Sequence, residues 1–281
     1  MAIILDGAKR AAEIKKEIRQ KVHKLLYRPG LAVIQVGEDP ASQIYVHNKK
    51  RDCEECGIVC KDYQLSESVL EYDIAELVAE LNTQKDIDGI LVQLPLPHDL
   101  DPWPVLQAIA SSKDVDGFTI YNAGRLAIGE PAIVPCTPTG ILDLLQEYRI
   151  PVKGAHCVIV SRSNIVGKPL AHLLLAQGAT VTICHSETGD LASHTRRADI
   201  LISAAGVPGL ITADMLTRCT AIVDVGITRG KDGKLRGDVC FEEVQEKVSF
   251  ITPVPGGVGP MTRAILLRNV LQAAQRRQRG L

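Results

Sequence analysis

The run Cys157-Val-Ile-Val-Ser-Arg-Ser-Asn-Ile-Val-Gly-Lys-Pro169 decides how the chain is read. It passes from a short apolar, β-branched segment into a polar turn, then meets Gly167, Lys168 and Pro169 ahead of the apolar run 170–176. Proline suits the first turn of a helix, because the N–H it lacks would have no partner there. The stretch therefore reads strand, turn, helix. A helix that follows a parallel strand presents unpaired N–H groups and partial positive charge at its start, which suits a phosphate. The G-x-G-x-x-G pattern is absent, so the turn points to a nucleotide without naming one. It reads equally as an ordinary βα turn.

The alternation continues on both sides. Toward the amino end, residues 8–26 carry apolar side chains at Ala11, Ile14, Ile18, Val22 and Leu25, the period of a helix. Residues 31–36 form an unbroken apolar strand, a helix is expected over 41–55, and Gly57 ends it. Strand 58–63 and helix 74–81 come next, and then strand 88–94 runs into Pro95-Leu-Pro97. A short helix near 104–110, a loop from 114 through 138 and a helix over 139–148 complete this half. Toward the carboxyl end, 149–154 reads as a linker, and strands at 180–184, 200–204 and 221–225 alternate with helices at 191–197 and 213–216. An extended run at 250–254 is broken by Pro255-Gly-Gly-Val-Gly-Pro260, and a final helix covers 261–274. Such alternation means parallel sheets covered on both faces, an α/β protein.

Composition narrows the function. The 281 residues suffice for one large or two modest domains, and 32 basic against 33 acidic residues give no reason to expect a polyanion partner. An aromatic content of 4% also argues against a base-stacking surface, so no nucleic acid is expected. Most of the eight cysteines lie in apolar runs, as buried thiols in a reducing compartment do. Cys53-x-x-Cys56-x-x-x-Cys60 lacks a second ligand pair nearby, so no metal is expected. Met1–Gly7 has no charged leader pattern and no apolar run approaches a membrane span, so a cytoplasmic address is expected.

Tyr45 and Lys49 stand four apart on an expected helix and share a face, which by itself describes a solvated pair. Gln93 lies at the carboxyl end of a buried strand, where open α/β sheets place ligands. An amide among Leu91, Val92 and Leu94 needs a hydrogen-bond partner. Asp116 precedes Gly117, which lets backbone approach a ligand. In the second half, an NAD site would place Asp or Glu at the end of its second strand. Cys184-His-Ser-Glu-Thr188 occupies that place, and His185, Ser186 and the preceding Arg162 suit a 2′-phosphate, favouring NADP. The Glu187 carboxylate would oppose that if it pointed inward.

With these segments placed, the chain resembles the bifunctional methylenetetrahydrofolate dehydrogenase/methenyltetrahydrofolate cyclohydrolase family over nearly its whole length. The resemblance is carried by Tyr45-Val-His-Asn-Lys49, Val92-Gln-Leu-Pro-Leu-Pro97, Lys113-Asp-Val-Asp-Gly117, Asn122-Ala-Gly-Arg-Leu126, Pro135-Cys-Thr-Pro138, Arg162-Ser-x-x-Val-Gly167 and Pro253-Val-Pro-Gly-Gly-Val-Gly-Pro-Met-Thr262. It implies two α/β lobes with folate in the cleft between them. Residues 1–150 would be the folate-binding catalytic lobe, 151–250 a Rossmann-like NADP lobe, and 251–281 would pack back onto the first. It further implies that Lys49 is the central catalytic residue, that Tyr45 stacks on the folate, and that Gln93 holds Lys49 in its working state. Asp116 would accept from the pterin amino and ring N–H groups, and Val92 and Leu94 would flank the folate. Pro255, Gly256, Gly257, Gly259, Pro260 and Thr262 would line the folate–nicotinamide junction. Ser161, Arg162, Ser163, Ser186 and Ile227 would contact NADP, and the protein would be a homodimer. Three places depart from the family: Ser161 replaces a usual glycine, Thr119-Ile120 a common His-Pro, and Arg263 a small apolar residue.

The implied chemistry is oxidation of 5,10-methylenetetrahydrofolate by NADP⁺, then hydrolysis of the methenyl cation to 10-formyltetrahydrofolate. Hydride transfer needs positioning, whereas ring opening needs proton transfer, for which Lys49 is the candidate. The rivals are a dehydrogenase of another small substrate on a similar scaffold and a catalytically silent nucleotide-binding regulator.

Overall fold

A computed structural model describes residues 2–97, 100–131, 133–230 and 232–280, with 40–42 described by backbone alone. The chain opens with β1 (Ile3–Ile4) and α1 (Gly7–Val22), then alternates β2 (Gly30–Val36), α2 (Pro40–Cys56), β3 (Val59–Leu65), α3 (Glu71–Thr83) and β4 (Gly89–Val92). Three helices come next: α4 (Pro102–Ala108), α5 (Ile120–Ala127) and α6 (Cys136–Glu147). A second alternation takes β5 (His156–Val160), α7 (Gly167–Ala176), β6 (Thr180–Cys184), α8 (Leu191–Thr195), β7 (Ile200–Ser203) and β8 (Ala221–Asp224). A small hairpin of β9 (Thr228–Arg229) and β10 (Leu235–Arg236), α9 (Phe241–Val244), β11 (Phe250–Ile251) and α10 (Val258–Gln278) complete the order.

Two compact units result. One comprises Ala12–Cys136 and the chain from Arg263 onward; the other comprises the residues through Ala11 and Thr137–Thr262. In the first, three parallel strands lie in the order β3-β2-β4. All seven residues of β2 are buried, which is why its sequence is apolar on both faces instead of alternating, with Gln35 as the one polar side chain in the run. Ile34, Ile90, Ile74, Val78 and Val105 join β2, β4, α3 and α4 in one core. Beyond β4 the chain doubles back, and the backbone at Ile90 pairs in parallel with Asp114. Gly89 permits this close approach, since a Cβ there would stand 2.5 Å from the Val115 side chain. That register places Asp116 close to the carboxyl end of β4.

Asp114 then organises the segment leading into α5. It is buried and accepts from the N–H groups of Gly117, Phe118 and Thr119, from the Thr119 hydroxyl and from the Asn122 amide, at 2.8–3.1 Å. Thr119 caps α5 in turn. The sequence reading expects a loop here; α5 is a two-turn helix whose apolar residues Ile120 and Tyr121, like Ile128 at its end, face solvent and not a core. The cap makes the helix. After Thr262, α10 returns to this unit, where Arg277 pairs with buried Asp88 at 2.8 Å and stacks 4.1 Å from the Tyr27 ring centroid.

The second unit is a six-stranded parallel sheet in the order β1-β11-β8-β7-β5-β6. Leu5, Cys157, Ile159, Leu170, Leu174 and Val223 form the core on one side, while Val158, Leu201, Ile222 and Val244 form that on the other. The fold is thus α/β, a three-stranded unit and a Rossmann-like unit, with the last helix returning to the first. The expected helix at 213–216 is a single 3-10 turn, Ala213–Met215. The final helix starts at Val258, ahead of the expected 261, because glycine and proline are tolerated in a first turn. Among the described residues no helix is long and apolar enough to cross a membrane.

Candidate functional site

Tyr45 and Lys49 lie one turn apart on α2, Tyr45 being 40% exposed and Lys49 half-buried. Lys49 Nζ donates to Gln93 Oε1 at 2.8 Å. Gln93 sits just past β4, and its own amide N–H donates to the Leu94 carbonyl at 2.6 Å. That second bond fixes which end of the amide meets the lysine: the carbonyl, a pure acceptor, faces Nζ. Whatever its protonation state, Lys49 keeps one N–H on Gln93 and holds the rest of its nitrogen free to turn elsewhere. Burial pushes the Lys49 pKa down from the ordinary lysine value, opposed by the Asp116 carboxylate. Val92 and Leu94 pack into the core of the unit, so what they offer a ligand is backbone.

Asp116 is the second charged group of this cluster. Burial raises its carboxyl to about 6, against the pull of the Lys49 charge and with added repulsion from Asp114. The Cys136 thiol, itself buried, lies 3.6 Å from Asp116 Oδ1. Burial and the neighbouring Asp116 carboxylate push that thiol well above its usual range, so it is a proton donor and not a thiolate. Asn269, on α10, donates to the carbonyls of Val115 and Val134 on either side of this carboxylate. Cys136 stands within one of the sequence motifs, but neither it nor Asn269 has a role legible from the sequence alone. The one signal is a lone amide in the buried apolar stripe Ile265, Leu266, Val270 and Leu271.

A second set of expected residues gathers at the carboxyl ends of β5 and β6, in the Rossmann-like unit. Ser163 builds the turn: its hydroxyl accepts from Val166 N at 3.1 Å and Gly167 N at 3.2 Å, and its carbonyl accepts from Lys168 N at 3.0 Å. Leu170 N goes to the Val166 carbonyl and Pro169 has no N–H. The first N–H groups of α7 are therefore already satisfied, unlike the free donors expected from the sequence. What this helix offers a phosphate is its dipole. Gly167 is required by contact, because a Cβ there would stand 2.1 Å from the Ser161 carbonyl oxygen. Ser161, in place of the usual glycine, turns its hydroxyl onto Ser163 Oγ at 3.2 Å and accepts from Ser163 N. It tightens the turn and leaves the outer surface to Arg162.

Arg162 extends from that surface to Ser186, donating to its hydroxyl at 3.4 Å, and stands 3.9 Å from Glu187. Its side chain is 54% exposed. His185 accepts from Glu187 N at 3.2 Å, which fixes the strand-end loop around this pair. Arginine and hydroxyl thus meet at the end of β6, beside the loop that His185 fixes, a donor pair that fits a phosphate ester, with Glu187 as its internal competitor. The 255–262 turn belongs to the same unit. Gly256 takes φ +112°, which only glycine adopts readily, and its carbonyl accepts from Ala8 N at 2.9 Å. Gly257, Pro255 and Pro260 complete the turn, and Thr262 shares a 2.9 Å hydrogen bond with Thr137. A Cβ at Gly259 would stand 3.7 Å from Ile227, so those two expected residues lie together.

The chain has relatives among known proteins along most of its length. Residues 5–116 match the family model described as the tetrahydrofolate dehydrogenase/cyclohydrolase catalytic domain, and residues 135–278 match its NAD(P)-binding domain. The chain is 53% identical over 278 residues to the bifunctional protein FolD of Moorella thermoacetica, covering 98% of this chain and 99% of that one. The crystal structure of the bifunctional FolD enzyme from Campylobacter jejuni superposes with a TM-score of 0.96 at 48% identity, covering 99% of this chain and 100% of the other. The Trypanosoma brucei methylenetetrahydrofolate dehydrogenase-cyclohydrolase, solved with NADP and an inhibitor, gives 0.93 at 37% identity, covering 98% of each.

Proposed function

Because the chain belongs to the tetrahydrofolate dehydrogenase/cyclohydrolase family, we propose that its Lys49 cluster performs the folate chemistry and its Arg162 cluster holds NADP. The protein is a bifunctional enzyme that oxidises 5,10-methylenetetrahydrofolate and hydrolyses the methenyl product to 10-formyltetrahydrofolate. The observation that carries the assignment is the 2.8 Å bond between Lys49 and Gln93 beside a carboxyl raised to about 6.

NADP⁺, when bound, supplies the acceptor for the hydride leaving the methylene carbon. Arg162, Ser163 and Ser186 would hold its phosphates, with Ser161 bracing their turn, and Ile227 with the 255–262 turn would line its nicotinamide end. In the first unit, Tyr45 stacks on the folate and Asp116 accepts from the pterin amino and ring N–H groups, a paired geometry suited to a carboxylate. Both contacts fix the methylene carbon, and fixing it is most of what hydride transfer requires.

Ring opening asks more. Water adds to the methenyl carbon and loses a proton to give a neutral carbinolamine; N5 then gains a proton, the carbon–N5 bond breaks, and the remaining hydroxyl proton leaves to solvent as the formyl C=O forms. Lys49, its pKa lowered by burial, takes the proton from water and returns one to N5. Gln93 keeps one Lys49 N–H engaged, so the lone pair of the neutral amine is aimed away from the amide and toward substrate.

The enzyme acts as a homodimer in the reducing cytoplasm. The edge position of β6, with Ile183 37% exposed, and the eight unpaired cysteines support this reading. A monomeric mass by light scattering would remove the dimer.

The test is spectrophotometric, on purified protein with 5,10-methylenetetrahydrofolate and either NADP⁺ or NAD⁺. Reduced-cofactor formation with NADP⁺, together with methenyl hydrolysis above its spontaneous rate, is expected. Hydride transfer without hydrolysis would remove the role given to Lys49.

A further inference from the structure

Asp116 is held by a relay that begins on the last helix. Asn269 is 5% exposed and surrounded on α10 by buried aliphatic side chains. Its amide nitrogen lies 2.8 Å from the Val115 carbonyl, 3.0 Å from the Val134 carbonyl and 3.6 Å from Cys136 Sγ. An amide has two N–H groups, and the two short contacts use both. The Cys136 thiol has one proton and two acceptors within reach, the Val115 carbonyl at 3.4 Å and Asp116 Oδ1 at 3.6 Å. Because Asn269 already serves Val115, and because an ionised carboxylate is the stronger acceptor, the thiol proton goes to Asp116.

We propose that Asn269 and Cys136 are positioning residues that set the affinity for the pterin ring by orienting the Asp116 carboxylate. This rests on Asp116 being the pterin acceptor. With one lone pair of Oδ1 held by the thiol, the carboxylate cannot spin about its own axis, and its remaining lone pairs stay aimed at substrate. Removing Asn269 leaves two buried carbonyls without this donor, a state that costs free energy unless another donor moves in. The nearest replacement at Val115 is the thiol, so Asp116 loses its bond when Asn269 goes. Cys136 is the transmitting group and Asn269 decides which way it points.

Ring opening of 5,10-methenyltetrahydrofolate needs no NADP, so it isolates the folate side. Cys136→Ala should raise KM for this substrate about 10-fold, about 1.4 kcal/mol, with kcat within about twofold. Calorimetric binding of tetrahydrofolate should weaken by the same factor, while KM for NADP⁺ in the dehydrogenase assay stays unchanged. Cys136→Ser restores an O–H donor and should return KM to within about twofold of the parent enzyme. Asn269→Ala should raise KM at least as much as Cys136→Ala, and the double variant should add nothing further, as expected for one relay. An unchanged folate KM in Cys136→Ala, beside a raised one in Asp116→Ala, would overturn the relay and leave the pterin role of Asp116 standing. An unchanged KM in Asp116→Ala would instead remove the reading beneath it. A fall in kcat with KM untouched in Asn269→Ala would mark a merely structural amide and also overturn the proposal.

Discussion

Lys49, on α2 and bonded to Gln93 just past β4, and Arg162, just past β5, are both basic side chains, yet their surroundings differ. Lys49 is half-buried, bonded to an amide, and faces a carboxyl raised to about 6. Arg162 is 54% exposed and faces Glu187 and a serine hydroxyl across looser contacts of 3.9 and 3.4 Å. The first environment brings protonation equilibria toward neutral pH, which is what proton transfer needs. The second leaves a permanent charge in water, where it binds and discriminates without exchanging protons. One unit is built to change protonation, the other to recognise.

The largest effect expected breaks that contrast at its stronger end. Lys49→Met should lower ring opening by about 10²–10⁴-fold, the usual contribution of a positioned acid–base group, while hydride transfer falls by about tenfold or less. Equal losses in separate assays of the two steps would show that Lys49 positions substrate and moves no proton. Asp116 gives the pH counterpart. Its raised pKa means the charged acceptor is present above pH 6 and is lost as pH falls through 6. At pH 5 about one carboxyl in ten is ionised, so KM for the folate should rise about tenfold there. Asp116→Ala should have a high KM that no longer varies between pH 5 and 7, and persistence of the slope in that variant would assign it to another group.

On the recognition side the effects are smaller and fall on KM. Arg162→Ala should raise KM for NADP⁺ by about tenfold or more, in line with loss of a charge-assisted phosphate contact, with little change in kcat. Glu187→Gln should act the other way and lower that KM a few-fold, because it frees the guanidinium from an exposed and weak partner. An unchanged NADP/NAD preference in Arg162→Ala would place the 2′-phosphate elsewhere.

The two regions are not equally legible in the sequence. Tyr45, Lys49 and Gln93 can be placed because helix period and strand ends are local patterns, and their neighbours come with the motifs. Ser163 is harder: its roles toward Gly167 and Lys168 arise from backbone curvature, which no spacing rule reports. The phosphate-binding logic drawn from a bare helix start accordingly changes, since that start supplies its own acceptors. Cys136 and Asn269 are out of reach for another reason. They stand 133 residues apart and meet through a thiol at 3.6 Å, and only the return of α10 brings them together. The helix over Ile120–Ala127 escapes the sequence reading because it is only two turns long and its start is set by a buried carboxylate, Asp114, and a threonine cap, contacts that no periodicity reports.

Arg263 supplies the smallest expected effect and a sharper form of the comparison. It departs from the small apolar residue usual in the family, and its guanidinium meets Asp52 at 3.3 Å, three residues past Lys49 on α2. Asp52 is 2% exposed and also takes Lys15 at 3.1 Å, so two cations compensate one buried charge. Removing one of two should cost little: Arg263→Val should lower the melting temperature by about 2–4 °C, the shift for about 1 kcal/mol in a chain of this size. Removing Lys15 as well leaves the carboxylate buried and uncompensated, so the double variant should lose more than the sum of the two singles. Arg236 and Asp232, on the hairpin of the other unit, pair at 2.8 Å but are 61% and 41% exposed. Arg236→Ala should leave the melting temperature unchanged, because water screens that pair and takes its place. Additive losses at Lys15 and Arg263, with an equal loss at Arg236, would show that burial does not separate the two units in the way their protonation behaviour indicates.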